Sequence, residues 1–496
     1  MSYMRFCVMD VGQGSANYIE LREDDDSLTA AAIVDIGSEQ WKTKAGKPAA
    51  AWVSEQLSEM DGSTSLDAVI LSHSDSDHVN LIPSVLEHFA TPREKPKARK
   101  VLTIKKVIFG GVFSKYQKGK QQNFLYQLDA YRPKGKDSVL TQLDNNFSSF
   151  SGKSSTWTPL ATIGGKIKLW ALSANTDAEK IPLVGRKRLR AELPDGGFAI
   201  NTRSIVVVAD FAGKKIIATG DATGLTLAHC NELLDRQDVK KQLGGATYMI
   251  TLPHHGSDTT LYDLTGSGAE SDAGKCVVQK FTKLVNADTI SASAGEKSTF
   301  RHPAARVIKD FGGNLLSDPQ YIDNALQNTN QHFYTAYFPE RTLSVSSGAA
   351  TSPHSRWPVS ERWYTARTTE NVYTTDYFAP PTGRPIPDAF PWEAREEKST
   401  VFKPVPPRAI SWAFFVMGDG TTKMEVAVER TGAHAEYWAA VEAVHGPLPS
   451  EGIVVLPSAP LRDTDSAEPP PAPPPAECPP PHTPPPPGPS RLRQLP

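Results

Sequence analysis

Two imidazoles and two carboxylates fall within six residues in His73-Ser74-Asp75-Ser76-Asp77-His78, directly after the apolar run Ala68 to Leu71. A loop leaving a strand end can turn alternate side chains toward one point, and a mixed His/Asp set suits zinc, manganese or iron(II). Two later segments repeat the arrangement: Ile216 to Thr219 runs into Gly220-Asp221, and Met249 to Leu252 runs into Pro253-His254-His255-Gly256-Ser257. Taken singly, a Gly-Asp pair is more often a turn than a ligand, and a polar cluster is often only a solvated loop. Three apolar runs that each deliver metal-type side chains point instead to strand ends meeting in one cleft, with metal-assisted chemistry as the outcome.

The elements needed to position these groups are legible as changes of period. From Arg5 to about Val345, short β-branched runs alternate with amphipathic stretches, punctuated by Gly, Asp or Pro. Strands are expected over Arg5 to Asp10, Ala16 to Leu21, Ala31 to Asp35, Ala68 to Leu71, Lys105 to Phe109, Lys166 to Ala171, Ser204 to Asp210, Lys215 to Thr219, Tyr248 to Leu252 and Thr289 to Ser293. Helical spacing marks Ala49 to Met60, Leu81 to Phe89, Leu225 to Leu234, Val277 to Leu284 and Pro303 to Phe311. Residues 1–345 therefore read as a layered domain mixing helices and sheets, with a basic, polar insertion at about 93–160 that could form a lid or substrate wall. Residues 346–455 read as a less regular accessory extension, in which Ile410 to Glu429 resembles a hairpin turning at Asp419-Gly420. Residues 456–496 form a Pro-rich tail, a composition that favours polyproline II, cannot bury a core and is expected to be disordered.

Bulk properties exclude little. The formal charge of −2 over 496 residues gives a weak overall field, so any attraction to nucleic acid must come from local patches. Cys7, Cys230, Cys276 and Cys478 lie far apart without a CxxC pair, which argues against a disulfide framework or a zinc ribbon. The N-terminal residues lack a basic region followed by a secretory apolar stretch, and no segment approaches the roughly 18 apolar residues of a span. A cytoplasmic protein with no membrane insertion is expected.

Asp10-Val11-Gly12-Gln13-Gly14-Ser15, Val34-Asp35-Ile36-Gly37, His73 to His78, Thr219-Gly220-Asp221, Pro253 to Ser257 and His302-Pro303, in this order, resemble the metallo-β-lactamase domain of ComEC-type DNA-uptake proteins. The likeness spans about residues 5–311. It implies an α+β fold, the four-layer αββα metallo-β-lactamase sandwich, with two divalent metal ions (zinc or manganese) at one edge, and it suggests phosphodiester hydrolysis. Carried over, it gives His73 and Asp75 to one ion, Asp77 and His78 to the other, Asp221 as the bridging carboxylate, and His255 to the second ion with His254 beside the site. His255 is preferred to His254 because the family's last ligand stands two residues after the strand-end Pro and just before Gly. The chain departs from the pattern at Asn80-Leu81, where glycines are usual, at Ser15, where an acidic residue is common, and at Asn201-Thr202-Arg203-Ser204, where many relatives place a third histidine. Uptake of DNA through a membrane is not expected of a chain without spans.

In this reading Asp77, lying between ligands, orients the attacking water, while His302, after Arg301, contacts phosphoryl oxygens or protonates the leaving oxygen. His302 could equally be a polar residue at a helix start ahead of Pro303. Gly12 and Gly14 most simply permit a tight turn between the first two strands. Between Arg93 and Lys120 stand ten Lys or Arg against the single acidic Glu94, so Lys115, Lys118 and Lys120 are candidates for phosphate contacts, as is the patch Arg186-Lys187-Arg188-Arg190. Tyr116, Phe124, Tyr126 and Tyr131 could stack on bases or form the core of the insertion. Three functions follow from these residues: a nuclease or phosphodiesterase acting on nucleic acid or a nucleotide, a hydrolase of another ester or amide, and a non-catalytic module whose Pro-rich tail recruits a protein partner.

Overall fold

The structure, a computed structural model, describes residues 2–9, 11, 13–39, 46–94, 99–118, 122–177, 196–243, 247–293, 307 and 310–311. Beyond these it describes the short strand segments 335–336, 342–344, 358–360, 364–365 and 372–375 and the stretch 411–427. In chain order, the elements that build the site are β1 (Tyr3–Val8), β2 (Ala16–Arg22), β3 (Leu28–Ile36), α1 (Gly46–Glu59), β4 (Ala68–Leu71), α2 (Ser76–Val79), α3 (Ile82–Leu86), β5 (Val107–Phe109), α4 (Phe124–Asp129) and β6 (Leu140–Gln142). They continue with β7 (Ala161–Ile163), β8 (Ile167–Ser173), α5 (Gly197–Thr202), β9 (Val206–Phe211), β10 (Lys214–Ala218), α6 (Gly224–Leu234), α7 (Gln237–Leu243), β11 (Thr247–Thr251), α8 (Asp258–Leu261), α9 (Asp272–Val285), β12 (Ala287–Ser293), β13 (Val372–Thr375), β14 (Ser411–Met417) and β15 (Thr422–Ala427).

The strands sort into an eight-stranded sheet, ordered β6-β5-β4-β3-β2-β1-β14-β15, and a seven-stranded sheet, ordered β7-β8-β9-β10-β11-β12-β13. Each sheet changes character midway. Strands β1, β2 and β3 pair antiparallel, whereas β3, β4, β5 and β6 run parallel. In the second sheet β7 to β10 are antiparallel and β10 to β13 parallel. The parallel halves point their carboxyl ends the same way along each sheet, which is where open sheets gather ligands.

Period-two burial builds the layers. Phe6, Val8, Ile19, Val34 and Ile70 from the first sheet meet Leu169, Val207, Ile216 and Met249 from the second in one inter-sheet core. The opposite face of the first sheet, with Cys7, Tyr18, Ile33 and Val69, is covered by Val53 and Leu57 of α1, Val85 of α3 and Leu125 of α4. The opposite face of the second sheet, with Trp170, Val208 and Ile250, is covered by Leu225 and Leu234 of α6 and by Val278 and Phe281 of α9. Helix, sheet, sheet, helix is the four-layer αββα sandwich expected from the sequence. On α9, Val277, Val278, Phe281 and Val285 recur at helical spacing on the covered face, Ser271 caps the start by accepting from the Gly274 N–H, and Asn286 ends the helix in the left-handed conformation.

Within 93–160 the chain supplies β5 and β6 of the first sheet and helix α4. The expected hairpin forms as β14 and β15, and β14 pairs antiparallel with β1, so the hairpin extends the first sheet. Most of the expected helix from Pro303 to Phe311, Arg186 to Arg190 and the whole tail lie outside the described residues. Among the described residues, no helix is long and apolar enough to cross a membrane.

Candidate metal centre

Strand β3 ends on Val34-Asp35-Ile36, and Asp35 takes a left-handed backbone, φ 58°, at a position skipped in the pairing with β2. Asp35 Oδ1 accepts from the Ser72 N–H at 2.7 Å, and Oδ2 accepts from the Ser72 hydroxyl at 2.6 Å and from His78 Nδ1 at 2.8 Å. It thereby ties the end of β3 to the loop after β4. Two glycines allow the main chains to meet there. A Cβ on Gly37 would lie 2.4 Å from Asp77 C and 2.4 Å from His78 N, and one on Gly14 would lie 2.4 Å from the Gly37 carbonyl oxygen and 2.9 Å from that of Asp77. Gly14 therefore serves close packing as well as the turn expected of it.

Helix α2 carries Asp77 and His78, while His73 and Asp75 precede it in the loop. From the second sheet, β10 ends ahead of Asp221 and β11 ahead of Pro253-His254-His255. His254 and His255 are consecutively left-handed, with φ 44° and 56°, followed by Gly256 at 82°. Such a run is costly for non-glycine residues, on the order of 1 kcal/mol or more each, and strain of this kind concentrates at functional sites. It brings both imidazoles back over the strand end.

The side chains converge on Asp221. Its Oδ1 is 3.0 Å from His78 Nε2 and 3.4 Å from His255 Nε2, whereas Oδ2 is 3.5 Å from His254 Nε2 and 3.7 Å from His73 Nε2. Asp75 Oδ2 lies 3.7 Å from His73 Nε2, and Asp77 Oδ2 lies 3.5 Å from His255 Nε2. Two overlapping sets could each hold an ion: His73, His78 and Asp221, and Asp77, His78 and His255, with the donor atoms of each set within 4.8 Å of one another.

Three features fit a cation. His73 Nε2 is buried without a hydrogen bond, and His78 Nε2 and Asp221 Oδ1, 3.0 Å apart, have no polar partner outside the cluster, an arrangement expensive for a protein to maintain unless a cation is held there. The outer nitrogens are anchored: His255 Nδ1 lies 2.6 Å from the Ser293 carbonyl oxygen, which can only accept, so Nδ1 holds the proton and Nε2 turns its lone pair inward. Finally, the donor set of imidazoles and carboxylates is that of zinc and manganese sites.

Without an ion the groups compensate one another. Burial alone would raise the Asp221 pKa, but His78, His255 and His254 outweigh it and hold the carboxyl well below its ordinary value. Burial opposes charge on His78, yet Asp221 and Asp35 lift its pKa well above the usual imidazole value. For Asp77, burial is outweighed by His255 and His78, and its pKa is lowered. His254 differs: burial dominates and lowers its pKa, although its side chain is 19% exposed.

Of the residues singled out in the sequence, the structure brings together His73, Asp75, Asp77, His78, Asp221, His254 and His255. Lys115 is exposed in a single 3-10 turn, and Lys118 lies in a two-residue strand without a described side chain. Lys120, Arg301 and His302 lie outside the described residues. Tyr116, Phe124 and Leu125 are buried, and Tyr131 is half-buried, whereas Tyr126 is 63% exposed. Ser72 and Ser293 have no role expected from the sequence, and Asn201 and Ser204 are expected only to replace a third histidine. Asn201, turned to satisfy its amide, donates to Asp75 Oδ2 at 3.2 Å, and Ser204 Oγ stands 3.3 Å from His73 Nδ1.

No protein-family model and no curated protein matches the chain. Among solved structures it is similar to a substituted form of the β-hydroxylase CmlA, with 10% sequence identity and a TM-score of 0.29 over 64% of this chain and 51% of that one. It is similar to Igni18, a metallo hydrolase from the hyperthermophilic archaeon Ignicoccus hospitalis, at 10% identity and a TM-score of 0.25, covering 63% of this chain and 91% of the other. It is also similar to a long form RNase Z from yeast, at 12% identity and a TM-score of 0.29, covering 87% and 50%. The chain thus spans about half the length of the first and last of these. At such low scores the chemistry must be read from the side chains themselves.

Proposed function

We propose that this chain is a metal-dependent hydrolase that cleaves phosphodiesters. The observation that carries the reading is the buried convergence of His73 Nε2, His78 Nε2 and Asp221 Oδ1, with no polar partner outside the cluster, at the carboxyl ends of parallel strands from both sheets. We assign His73 and Asp75 to one ion, and Asp77, His78 and His255 to a second. Asp221 stands between them, because its two oxygens face different imidazole pairs. Divalent ions held there would supply Lewis acidity, lowering the pKa of water toward neutrality and offsetting charge on phosphoryl oxygens.

The chain's own groups do the rest. Asp77, 15% exposed and ionised, can accept a hydrogen bond from an incoming water and orient it. His254, whose side chain is partly open and which burial keeps neutral, can accept a proton from a water or substrate oxygen. We place the substrate against the β5–α4 connection. Gly110 at the end of β5 packs so closely on the Ser72 carbonyl that a Cβ there would lie 2.5 Å away. Three residues further, Phe113 meets the exposed ring of Tyr126 at 5.2 Å, and the same 3-10 turn carries Lys115. An aromatic pair that shares a short exposed turn with a lysine suits a nucleotide unit better than a small neutral ester, and this favours nucleic acid or a nucleotide as substrate. Chelation and reconstitution with zinc or manganese, assayed on single-stranded polynucleotide and on bis-p-nitrophenyl phosphate, test the proposal. Metal-dependent cleavage of both is expected; cleavage that survives complete chelation would sink it.

A further inference from the structure

Ser72 is fully buried, and its hydroxyl has three polar neighbours but only one proton to give. Oγ lies 2.6 Å from Asp35 Oδ2, 3.0 Å from His73 Nδ1 and 3.3 Å from His78 Nδ1. As a carboxylate Asp35 can only accept, so the Ser72 proton goes to it. Toward His73 Nδ1 Ser72 is then an acceptor, so that nitrogen offers an N–H, while His78 Nδ1 donates chiefly to Asp35 Oδ2 at 2.8 Å with Ser72 as a longer second acceptor. We infer that Ser72 is a positioning residue that fixes the tautomer of His73, and with Asp35 that of His78, so that both Nε2 lone pairs face the metal centre.

The competing hydroxyl makes this a real choice. Ser204 Oγ stands 3.3 Å from the same His73 Nδ1 and could donate to it, which would leave the proton on Nε2 and the ring unable to bind a cation. Only the commitment of the Ser72 proton to Asp35 selects the productive form. The serine is held in this orientation by its surroundings. Its N–H donates to Asp35 Oδ1 at 2.7 Å, and a Cβ on Gly220 would lie 2.8 Å from its Cβ and Oγ. Thus one side chain couples the two imidazoles of the first sheet to each other and to the strand-end carboxylate, while touching neither ion nor substrate.

The inference rests on the metal reading proposed above, and the test separates the two. Zinc(II) affinity of the full chain is measured by chelator competition, together with nitrogen NMR of the histidine rings in metal-free protein and thermal melting as a control on folding. Wild-type protein is expected to bind zinc and to show His73 protonated at Nδ1. Ser72→Ala should keep the fold, weaken zinc binding roughly 10- to 100-fold, and shift the His73 ring toward the Nε2–H form. Asp35→Asn preserves shape but presents a donor to Ser72, so the Ser72 proton turns to His73 and affinity should fall at least as far. Because Asp35→Asn also removes the direct acceptor of His78, the His73 ring signal in this variant, shifted toward the Nε2–H form, decides the matter should Ser72→Ala not fold. Failure of the wild type to bind zinc would sink the metal reading. Wild-type binding retained by folded Ser72→Ala, or a His73 ring signal unshifted in Asp35→Asn where the alanine variant does not fold, would overturn the role of Ser72. So would a loss that follows Ser204→Ala instead.

Discussion

Asp221 Oδ1 and His78 Nε2 stand 3.0 Å apart, although one comes from the end of a strand in the second sheet and the other from a short helix of the first. Their contact makes Asp221 the member of the cluster that faces every imidazole. Asp221→Asn keeps the volume and removes the charge that holds His78 and His255 in place. We expect the number of zinc or manganese ions retained after gel filtration to fall, and hydrolysis to drop at least about a hundredfold. Elemental analysis alongside turnover checks this; unchanged stoichiometry would remove Asp221 from the bridging position.

Asp77 lies 3.5 Å from His255 and is partly open to the cleft. Asp77→Asn should leave the melting temperature nearly unchanged while abolishing hydrolysis, as should exhaustive chelation of the wild type. Full turnover in a folded Asp77→Asn protein would defeat the proposed orientation of water.

Lys115 is exposed in the same 3-10 turn as Phe113, whose ring packs on Tyr126. Lys115→Glu should raise KM for a polynucleotide several-fold and reduce the slope of log affinity against log salt by about one. Hydrolysis of bis-p-nitrophenyl phosphate should hardly change. Parallel loss on both substrates would point to a folding defect, and no change on either would leave Lys115 a solvated surface charge.

Gly37 lets the end of β3 lie against the backbone of α2, with a would-be Cβ 2.4 Å from His78 N. Gly37→Ala must push that helix outward, costing on the order of 1–3 kcal/mol by overpacking. Metal affinity should fall further than this general loss explains, because Asp77 and His78 move with the helix. Denaturant melts and zinc titration on the same sample measure both effects.

His229 on α6 is largely buried, its Nδ1 2.9 Å from Ser173 Oγ, and burial holds its pKa below the ordinary 6.5. The unfolded chain therefore takes up this proton first as pH falls. Stability should decline as pH drops below about 6.5 and level off once the folded value is passed. His229→Gln should flatten that part of the profile; an identical slope in urea melts would assign it to other groups.

The ligand-bearing strand ends were legible because histidine and aspartate are conspicuous after an apolar run, and β4, β10 and β11 lie within a few residues of where periodicity puts them. Elements of three residues, such as β6 and β7, give no periodic signal. Helix α3 stops at Leu86, short of the Phe89 suggested by spacing, and a following turn completes the burial of Phe89. Ser72 and Ser293 could not be found in advance, and Asn201 and Ser204 stand out only as occupying the place where a third histidine is common. Small polar residues are common everywhere, and their importance here comes from which ring nitrogen or carboxylate they face, a property of the assembled layers. Asp35 left a trace as an acidic residue closing an apolar strand, but its partner is 43 positions away.

The pairing of β1 with β14 has a consequence for synthesis. Tyr3 to Val8 are made well before the strand that covers their outer edge, which begins only at Ser411. At ribosomal rates of about 5–20 residues per second, that edge waits roughly 20–80 s with its backbone donors and acceptors open. During this interval a nascent chain offers a ready template to neighbouring chains on the same message. Expression designs that stop before Ala427 would make the exposure permanent, so aggregation of such truncations would report a lost edge cover rather than a defect in the metal centre.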